Sequence, residues 1–235
     1  MAATQFSSES TRPEQRLREA GRDAGLFVRQ ALRTFRATGA ILPSGSSLAT
    51  TLCRFLDERH PPDAPLSILE AGAGTGAVSR VIAAHMRKDD TVDFVESNPE
   101  FAGRLAELLE TDPELSRVAD QATVHAELVT ELGTDRRYDV IISGLPFSNF
   151  TAAEVREILE YYSTVLRPGG HLSLFGYLYT KPVKAVVAPR EKYLRQVRAN
   201  WVLEEWVNSY GIDTERVLAN VPPAWVYHLR QPERG

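Results

Sequence analysis

The sequence predicts an α/β fold in which a mostly parallel sheet of seven strands carries helices on both faces. Short apolar runs rich in β-branched residues alternate with amphipathic runs between residues 67 and 177. This alternation is typical of parallel strands joined by helices. Turn sequences such as Asn98-Pro99 and Arg167-Pro168-Gly169-Gly170 separate the runs.

Each element is predicted from its periodicity and its flanking turn residues. Strands are expected at Ser67–Ala71, Thr91–Glu96, Ala122–Ala126, Tyr138–Ser143 and His171–Tyr177, with helices near 77–87, 99–110 and 152–165. Two later runs, Val202–Val207 and Ala224–Leu229, are expected to close the edge of the sheet. They bring the number of strands to seven.

Three regions are expected along the chain: a disordered tail over 1–11, a helical segment over 12–60 and the main domain over 61–235. The tail is small and polar. From Pro13 to Phe35 apolar residues recur at three- and four-residue steps, with arginines on the other face, which predicts a basic amphipathic helix.

A turn is expected at Pro43-Ser44-Gly45, followed by a short helix that Ser46 or Ser47 caps and that reaches Leu56. The proline cluster at 61–65 marks the start of the main domain.

Composition and charge exclude several classes of protein. The net charge of −4 argues against a protein built mainly to bind nucleic acid. Two basic patches nevertheless lie on the acidic body, with seven arginines against three acids in 12–36 and six basic residues against one acid in 181–198. The single cysteine, Cys53, allows no intrachain disulfide, and no run of about 18 apolar residues suggests a membrane span, so a cytosolic protein is expected.

The strongest candidate site is the run from Ile68 to Gly76, where the first strand turns into a helix. Gly72, Gly74 and Gly76 let the backbone approach a ligand without Cβ collisions. Glu96 follows Gly76 by 20 residues, the interval expected of an acid that binds the ribose of a nucleotide-like cofactor. Ser97 comes directly after it and is a further cofactor-binding candidate.

Two cofactor classes fit this glycine run, and charge distinguishes them. A pyrophosphate prefers amides with no acid nearby, whereas S-adenosylmethionine (SAM) presents a sulfonium and an ammonium. Glu70, directly before the glycines, therefore favours SAM over a dinucleotide. A tight turn whose glycines serve only packing is the alternative.

Two more strand ends supply candidate residues. Glu127, after the third strand, is placed to accept a hydrogen bond from an adenine amino group, although a solvated loop acid is an equal alternative. The fourth strand ends in Ser143-Gly144-Leu145-Pro146-Phe147, which predicts backbone carbonyls and an aromatic ring beside the crevice. Ser143 and Gly144 are candidates for the cofactor and Phe147 for an amine pocket, unless this is an ordinary turn.

Together with Leu166-Arg167-Pro168-Gly169-Gly170, these motifs resemble those of class I SAM-dependent methyltransferases, which have a Rossmann-like fold. More narrowly, Gly39-Ala40-Ile41-Leu42-Pro43-Ser44, the Gly144-Leu145-Pro146 loop and Asn220-x-Pro222-Pro223-Ala224-x-Val226-Tyr227 resemble bacterial phospholipid N-methyltransferases. This resemblance implies methylation of the amine of phosphatidylethanolamine towards phosphatidylcholine, with SAM as cofactor and S-adenosylhomocysteine as product.

The resemblance also implies where the enzyme works. The segment 12–60 is expected to cover the cofactor and to contact an anionic membrane surface, at the inner leaflet of the cell membrane. Each Lys or Arg near such a surface contributes about 1 kcal/mol of attraction. The alternative is an N-terminal helix that only packs on the core. The basic stretch 181–198 is either a second lipid contact or a solvated helix.

Candidates for the chemistry of the amine are aromatic. Tyr177 ends the fifth strand and Tyr179 follows, and either is a possible proton acceptor or a cation–π partner for a methylated ammonium, with core packing as the alternative. Ser44 is a candidate donor to the cofactor or to a lipid phosphate, or a helix cap. The five histidines show no metal-ligand spacing, and no metal is expected.

Three other functions stay open. Ornithine lipid is an alternative aminolipid. The loop after the fourth strand also resembles that of ribosomal RNA adenine dimethyltransferases, but those enzymes have asparagine and tyrosine where this chain has Gly144 and Phe147. A non-catalytic SAM-binding scaffold is the third alternative.

Overall fold

All seven strands of the sheet are present in the computed structural model. The structure describes residues 43–59, 61–177, 190–220 and 223–233, without the side chains of 43–45, 177 and 190–193. The strands are β1 (Ser67–Ala71), β2 (Thr91–Val95), β3 (Ala122–His125), β4 (Tyr138–Ser143), β5 (Leu166–Tyr177), β6 (Gly211–Val217) and β7 (Ala224–Arg230).

Five α-helices accompany the strands in the described ranges. They are α1 (Pro43–Leu52), α2 (Ala77–His85), α3 (Pro99–Thr111), α4 (Ala152–Val165) and α5 (Arg190–Tyr210). Short 3₁₀ turns lie at Arg54–Leu56, Leu115–Gln121, Val129–Glu131 and Phe147–Asn149. Two helix starts are fixed by side-chain caps, since Asn98 accepts a hydrogen bond from the Glu100 amide and Thr151 forms a capping box with Glu154.

The strands lie in the order β3-β2-β1-β4-β5-β7-β6. β1 to β5 are mutually parallel, and β7 is antiparallel to both β5 and β6. Ala71, the last residue of β1, is level with Val95 and with Ser143. The central strands therefore end together and define a single crevice edge, which is the usual place for a ligand in such sheets. The predicted fold class is confirmed.

Two apolar clusters cover the two faces of the sheet. One joins the sheet to α1, α2 and α3 through Leu52, Ile82 and Leu105. The other joins it to α4 and α5 through Leu159 and Leu203. Each fully buried side chain of this size contributes about 2 kcal/mol through removal from water, so both layers of helices hold the crevice edge in place.

Two predictions about individual elements were wrong, and one strand was not predicted. Residues 202–207, expected as a strand, belong to helix α5, and the turn expected at 43–45 is the first turn of α1. Proline suits a first helical turn because its missing N–H has no partner there anyway. The unpredicted edge strand is β6, whose residues are mostly exposed.

The described residues before Pro61 pack with the main domain. Leu52, Cys53 and Leu56 are buried in the same cluster as β1, and the described residues form one compact unit. The expected tail and the expected basic helix lie outside the described residues. Within the described ranges, no helix is long and apolar enough to cross a bilayer.

Candidate active site

The loop after β1 has the backbone conformation that its glycines allow. Gly72, Gly74 and Gly76 have φ angles of 77°, 55° and 80°, a region that other residues rarely adopt. The amides of Gly72 and Ala73 both donate to the Val95 carbonyl, at 2.8 and 3.2 Å. The loop is thus tied to the end of β2 and held at the crevice edge.

The loop after β4 touches the glycine loop directly. The Gly144 amide donates to the Ala71 carbonyl over 2.8 Å. A Cβ atom added to Gly144 would lie 2.9 Å from the Gly72 carbonyl oxygen, and one added to Gly72 would lie 2.7 Å from Leu145. Glycine is required at Gly144 because a Cβ atom there would meet backbone, and it is favoured at Gly72 because of the positive φ angle at that position.

Gly74 differs from these two glycines, since no described residue apart from its two chain neighbours comes closer than 3.9 Å to the place of a Cβ atom there. The nearest heavy atom to a Cβ at this position would be the Gly72 carbonyl oxygen, at 3.9 Å. A side chain at Gly74 would therefore occupy free space in the crevice. This space is the cradle in which a ligand can approach the backbone.

Glu96 fastens the glycine loop to the start of α3. Its carboxylate accepts from the Gly74 amide at 2.9 Å and from the Asn98 amide at 2.8 Å. Burial raises the pKa of Glu96 in spite of these two hydrogen bonds. Carboxylate oxygens accept more than one hydrogen bond each, so Glu96 retains capacity for a ribose hydroxyl at this edge.

Glu70 lies beneath the loop and is 1% exposed. The Ser79 hydroxyl donates to its Oε2 atom over 2.6 Å, while its Oε1 atom is buried and has no hydrogen-bond partner among the described residues. Burial raises the pKa of Glu70 to about 8, and the neighbouring charge of Glu96 adds to the shift. A nearby cation would favour the ionised form of Glu70. The sequence analysis expects this cation to be SAM.

Glu127 follows β3 at the same edge, since the Glu96 amide bonds to the carbonyl of His125 at 3.0 Å. The imidazole of His125 lies between two carboxylates, with Nε2 2.8 Å from Asp93 and Nδ1 3.6 Å from Glu127. Glu127 is partly exposed and remains accessible to a ligand. Its role as the adenine-binding acid stays a prediction.

The structure places two other candidates differently from the sequence analysis. Ser143 is fully buried, and its hydroxyl accepts a 3.1 Å hydrogen bond from Tyr162 on the α4 side of the sheet. Phe147 is 2% exposed and packs 6.2 Å from the Phe150 ring in the same core cluster. Only the backbone of these residues is left for the crevice, because strand alternation and the 3₁₀ turn direct both side chains inwards.

The remaining candidates are only partly described. Ser97 is half-buried between Glu96 and the cap of α3. Ser44 lies in the first turn of α1 and Tyr177 ends β5, but their side chains fall outside the described part, as does all of Tyr179.

Sequence reasoning missed two residues that support the site. Ser79 is the hydrogen-bond partner of Glu70, and its place in the first turn of α2, nine residues after the acid, was the available signal. Arg195 on α5 donates to the Asn149 carbonyl at 3.1 Å and so connects this helix to the turn after the β4 loop. No sequence pattern pointed to this second contact.

The arrangement fits a cationic nucleoside. An open cradle, two buried acids and a third acid at the next strand end lie along one edge of the sheet. The Glu70 oxygen without a partner is compensated best by positive charge. A pyrophosphate at the same place would meet these acids with like charge.

Comparison with known proteins supports this interpretation. Residues 69–172 match a family described as a methyltransferase domain. Over 211 residues the chain is 27% identical to an ornithine lipid N-methyltransferase of Singulisphaera acidiphila, in a match that covers 89% of this chain and 96% of that protein.

Solved structures of methyltransferases share the fold. A 1,6-didemethyltoxoflavin N1-methyltransferase of Burkholderia thailandensis, with its substrate and S-adenosylhomocysteine, is 15% identical with a TM-score of 0.62, covering 97% of this chain and 94% of that one. An O-methyltransferase of tomaymycin synthesis from Streptomyces achromogenes, in complex with SAM, is 14% identical with a TM-score of 0.59, covering 87% and 89%.

Proposed function

We propose that this chain, which belongs to the class I SAM-dependent methyltransferases, methylates the amino group of a membrane aminolipid. The class follows from the methyltransferase domain over residues 69–172 and from the fold. The lipid amine is supported by one observation above all. The match to an ornithine lipid N-methyltransferase extends well beyond that domain, to 96% of the relative's length.

SAM supplies an electrophilic methyl group on a sulfonium, and this chain's contribution is to bind and orient it. The glycine loop provides close backbone approach at Gly74, and Glu96 provides an acceptor for the ribose. Glu127 provides an acceptor for the adenine amino group. Glu70 provides negative charge beneath the loop when it is ionised.

The amine acceptor is assigned to the loop after β4, which touches the glycine loop. The carbonyls of Leu145 and Pro146 accept hydrogen bonds from Phe147 and Asn149, which keeps the loop in one conformation. Each carbonyl oxygen has a second lone pair with which it can orient a primary amine. The lipid ammonium first loses a proton, for which Tyr177 and Tyr179 stay the candidate acceptors. The neutral nitrogen then bonds to the methyl carbon as the bond from that carbon to sulfur breaks, so rigid placement and the exclusion of water are the main catalytic contributions.

Two aminolipids are candidates, and both carry a primary amine in the head group. The resemblance of the loop and terminal motifs favours phosphatidylethanolamine on the path to phosphatidylcholine. The relative from Singulisphaera acidiphila favours ornithine lipid. In either case the substrate lies in a bilayer, so we propose a cytoplasmic enzyme held peripherally at the inner leaflet by the basic segment 12–36.

Mass spectrometry of the lipid products tests the proposal. The protein is incubated with methyl-labelled SAM and with vesicles that contain phosphatidylethanolamine, ornithine lipid, or neither. We expect labelled methyl groups on the head-group nitrogen of one of the two aminolipids, and loss of the label in Gly74→Val, which fills the cradle.

Two results would overturn the proposal. In a parallel incubation with ribosomal RNA, transfer of the label to the RNA and not to either lipid would assign the chain to the RNA alternative. Tight SAM binding without any labelled acceptor, in the presence of both aminolipids, would instead favour a scaffold.

A further inference from the structure

The first half of α5 carries apolar side chains on its outer face. Leu194, Val197 and Trp201 are 41%, 40% and 64% exposed, and their spacing of three and four residues aligns them along one side of the helix. The opposite side, with Ala199, Val202 and Leu203, is buried against the sheet. We call the three exposed side chains the outer stripe.

Charge changes sign along the same helix. Residues 190–198 contain four basic residues and one acid, whereas 199–210 contain two acids and no basic residue. Arg198 lies beside the stripe and is exposed, and Glu204 and Glu205 are exposed one turn beyond Trp201. The stripe is therefore bordered by positive charge at one end and by negative charge at the other.

The basic end of α5 is the end next to the candidate active site. Arg195 donates to the Asn149 carbonyl at 3.1 Å and lies 3.8 Å from the Glu154 carboxylate. Asn149 belongs to the turn that directly follows the β4 loop, where the amine acceptor is assigned. The basic end of the outer stripe thus lies on the part of α5 that is tied to the turn after the β4 loop.

An exposed tryptophan with arginines beside it matches the interface of an anionic bilayer. The indole ring favours the head-group region, aliphatic neighbours favour the acyl boundary, and arginines are attracted to anionic lipids. The acids one turn later are repelled from the same surface, which sets the depth and the tilt of the helix. An uncharged partner surface would not account for this gradient.

We infer that the outer stripe of α5 inserts into an anionic membrane and brings the crevice to the lipid surface. This inference rests on the proposed function, because it supplies the contact through which a lipid amine reaches the β4 loop. It assigns the insertion to Leu194, Val197 and Trp201, which are more than 150 residues after the N-terminal basic segment in the sequence.

Fluorescence of a single tryptophan tests the insertion in the full-length chain. Replacing Trp206 and Trp225 with phenylalanine leaves Trp201 as the reporter. Vesicles of phosphatidylglycerol and phosphatidylcholine, some with brominated acyl chains, contain no primary amine substrate, so binding is measured apart from catalysis. We expect a blue shift and bromine quenching with the anionic vesicles, and neither effect with phosphatidylcholine alone.

Matched substitutions locate the contact. Trp201→Glu is expected to weaken vesicle binding about tenfold or more, because it removes the interfacial ring and adds repulsion. Leu218→Glu is the control, since Leu218 is equally apolar and 67% exposed but lies after β6. Calorimetry with SAM and a thermal melt show whether each variant is folded, and both values are expected to match the parent protein.

Several results would overturn the inference. Unchanged vesicle binding of Trp201→Glu is one, and equal losses in Trp201→Glu and Leu218→Glu are another. Protection of Trp201 from acrylamide before any lipid is added would show that another part of the chain covers the stripe. A fall in oligomeric mass with Trp201→Glu would show that a second copy covers it. Insertion into these vesicles, together with no methylation in vesicles that contain phosphatidylethanolamine or ornithine lipid, would overturn the proposed function and leave the membrane contact standing.

Discussion

The hydroxyl of Ser79 lies 2.6 Å from a carboxylate oxygen of Glu70, and it is the hydrogen-bond donor to this buried acid. The second oxygen of Glu70 has no partner among the described residues. Ser79 of α2 therefore orients the Glu70 carboxyl group beneath the glycine loop. Because the pKa of Glu70 is raised to about 8, this group changes its protonation state near neutral pH.

Replacing Glu70 with glutamine is expected to reduce the dependence of stability on pH. Burial raises the pKa of Glu70 from 4.5 to about 8. The folded state then keeps a proton that the unfolded chain releases, so stability is full below the unfolded pKa and is lost as pH rises towards the folded one. Thermal melts between about pH 5 and pH 9 should show the parent losing stability relative to Glu70→Gln. Parallel curves would contradict this.

Affinity for SAM is expected to rise with pH over the same interval in the parent protein. A bound cation stabilises the ionised form of Glu70, and this form becomes more populated as pH approaches 8. Calorimetric titration with SAM measures the effect, with Glu70→Gln as the reference for other titrating groups. An equally steep pH dependence in the variant would show that Glu70 is not the group responsible.

Gly144→Ala is expected to separate the two loops of the site. The new Cβ would lie 2.9 Å from the Gly72 carbonyl oxygen, and a clash with backbone typically costs about 1–3 kcal/mol. SAM affinity should fall about tenfold or more, because 1.4 kcal/mol corresponds to a factor of ten. Gly103→Ala is the matched control. It has open space in α3 and should stabilise the protein by about 1 kcal/mol without affecting SAM binding.

Tyr162→Phe tests whether Ser143 is structural. The substitution removes the 3.1 Å hydrogen bond to the buried Ser143 hydroxyl and should cost about 1–2 kcal/mol of unfolding free energy. SAM affinity should be unchanged, because both groups are buried on the α4 side of the sheet. Denaturant titration and calorimetry measure the two quantities. A loss of SAM affinity with unchanged stability would return Ser143 to the cofactor site.

Glu127→Ala tests the predicted adenine contact. We expect about tenfold weaker binding of SAM, the magnitude of one charge-assisted hydrogen bond. A SAM analogue with hypoxanthine in place of adenine lacks the amino group and should bind both proteins equally. Glu110→Ala is the control, since Glu110 is an exposed acid at the end of α3. Equal losses for SAM and for the analogue would exclude a contact with the amino group.

The parts of the site that depend on backbone conformation were predictable from the sequence. Gly72, Gly74 and Gly76 have positive φ angles that few other residue types adopt, so residue type alone indicates the loop. Glu96 was found from its interval to the loop. The direction of the Ser143 and Phe147 side chains was not predicted, because it depends on which face of β4 each strand-end residue occupies and on a short 3₁₀ turn.

Helix α5 and strand β6 show why the last part of the fold was harder to predict. Residues 202–207 begin with Val202-Leu203 and end with Trp206-Val207, and six residues of this kind are too few to distinguish a strand from part of a helix. Their buried positions continue the helical spacing that starts at Ala199. Strand β6 has three charged residues, Asp213, Glu215 and Arg216, and is mostly exposed, so it lacks the apolar alternation of a buried strand. Its pairing with β7 determines its conformation.

The ion pairs of Arg54 with Asp213 and Glu215 connect the start of the described chain to its last hairpin. Beside them, the Phe55 ring stacks 4.2 Å from His171 and contacts the buried His228 at 5.0 Å. These partners are separated by more than a hundred residues, and β7 inserts between β5 and β6 only after it has been synthesised. During translation Phe55 therefore meets His171 first, Arg54 meets Asp213 and Glu215 later, and the contact of Phe55 with His228 forms only after β7 has left the ribosome. Completion of the sheet is a late and non-local step of folding.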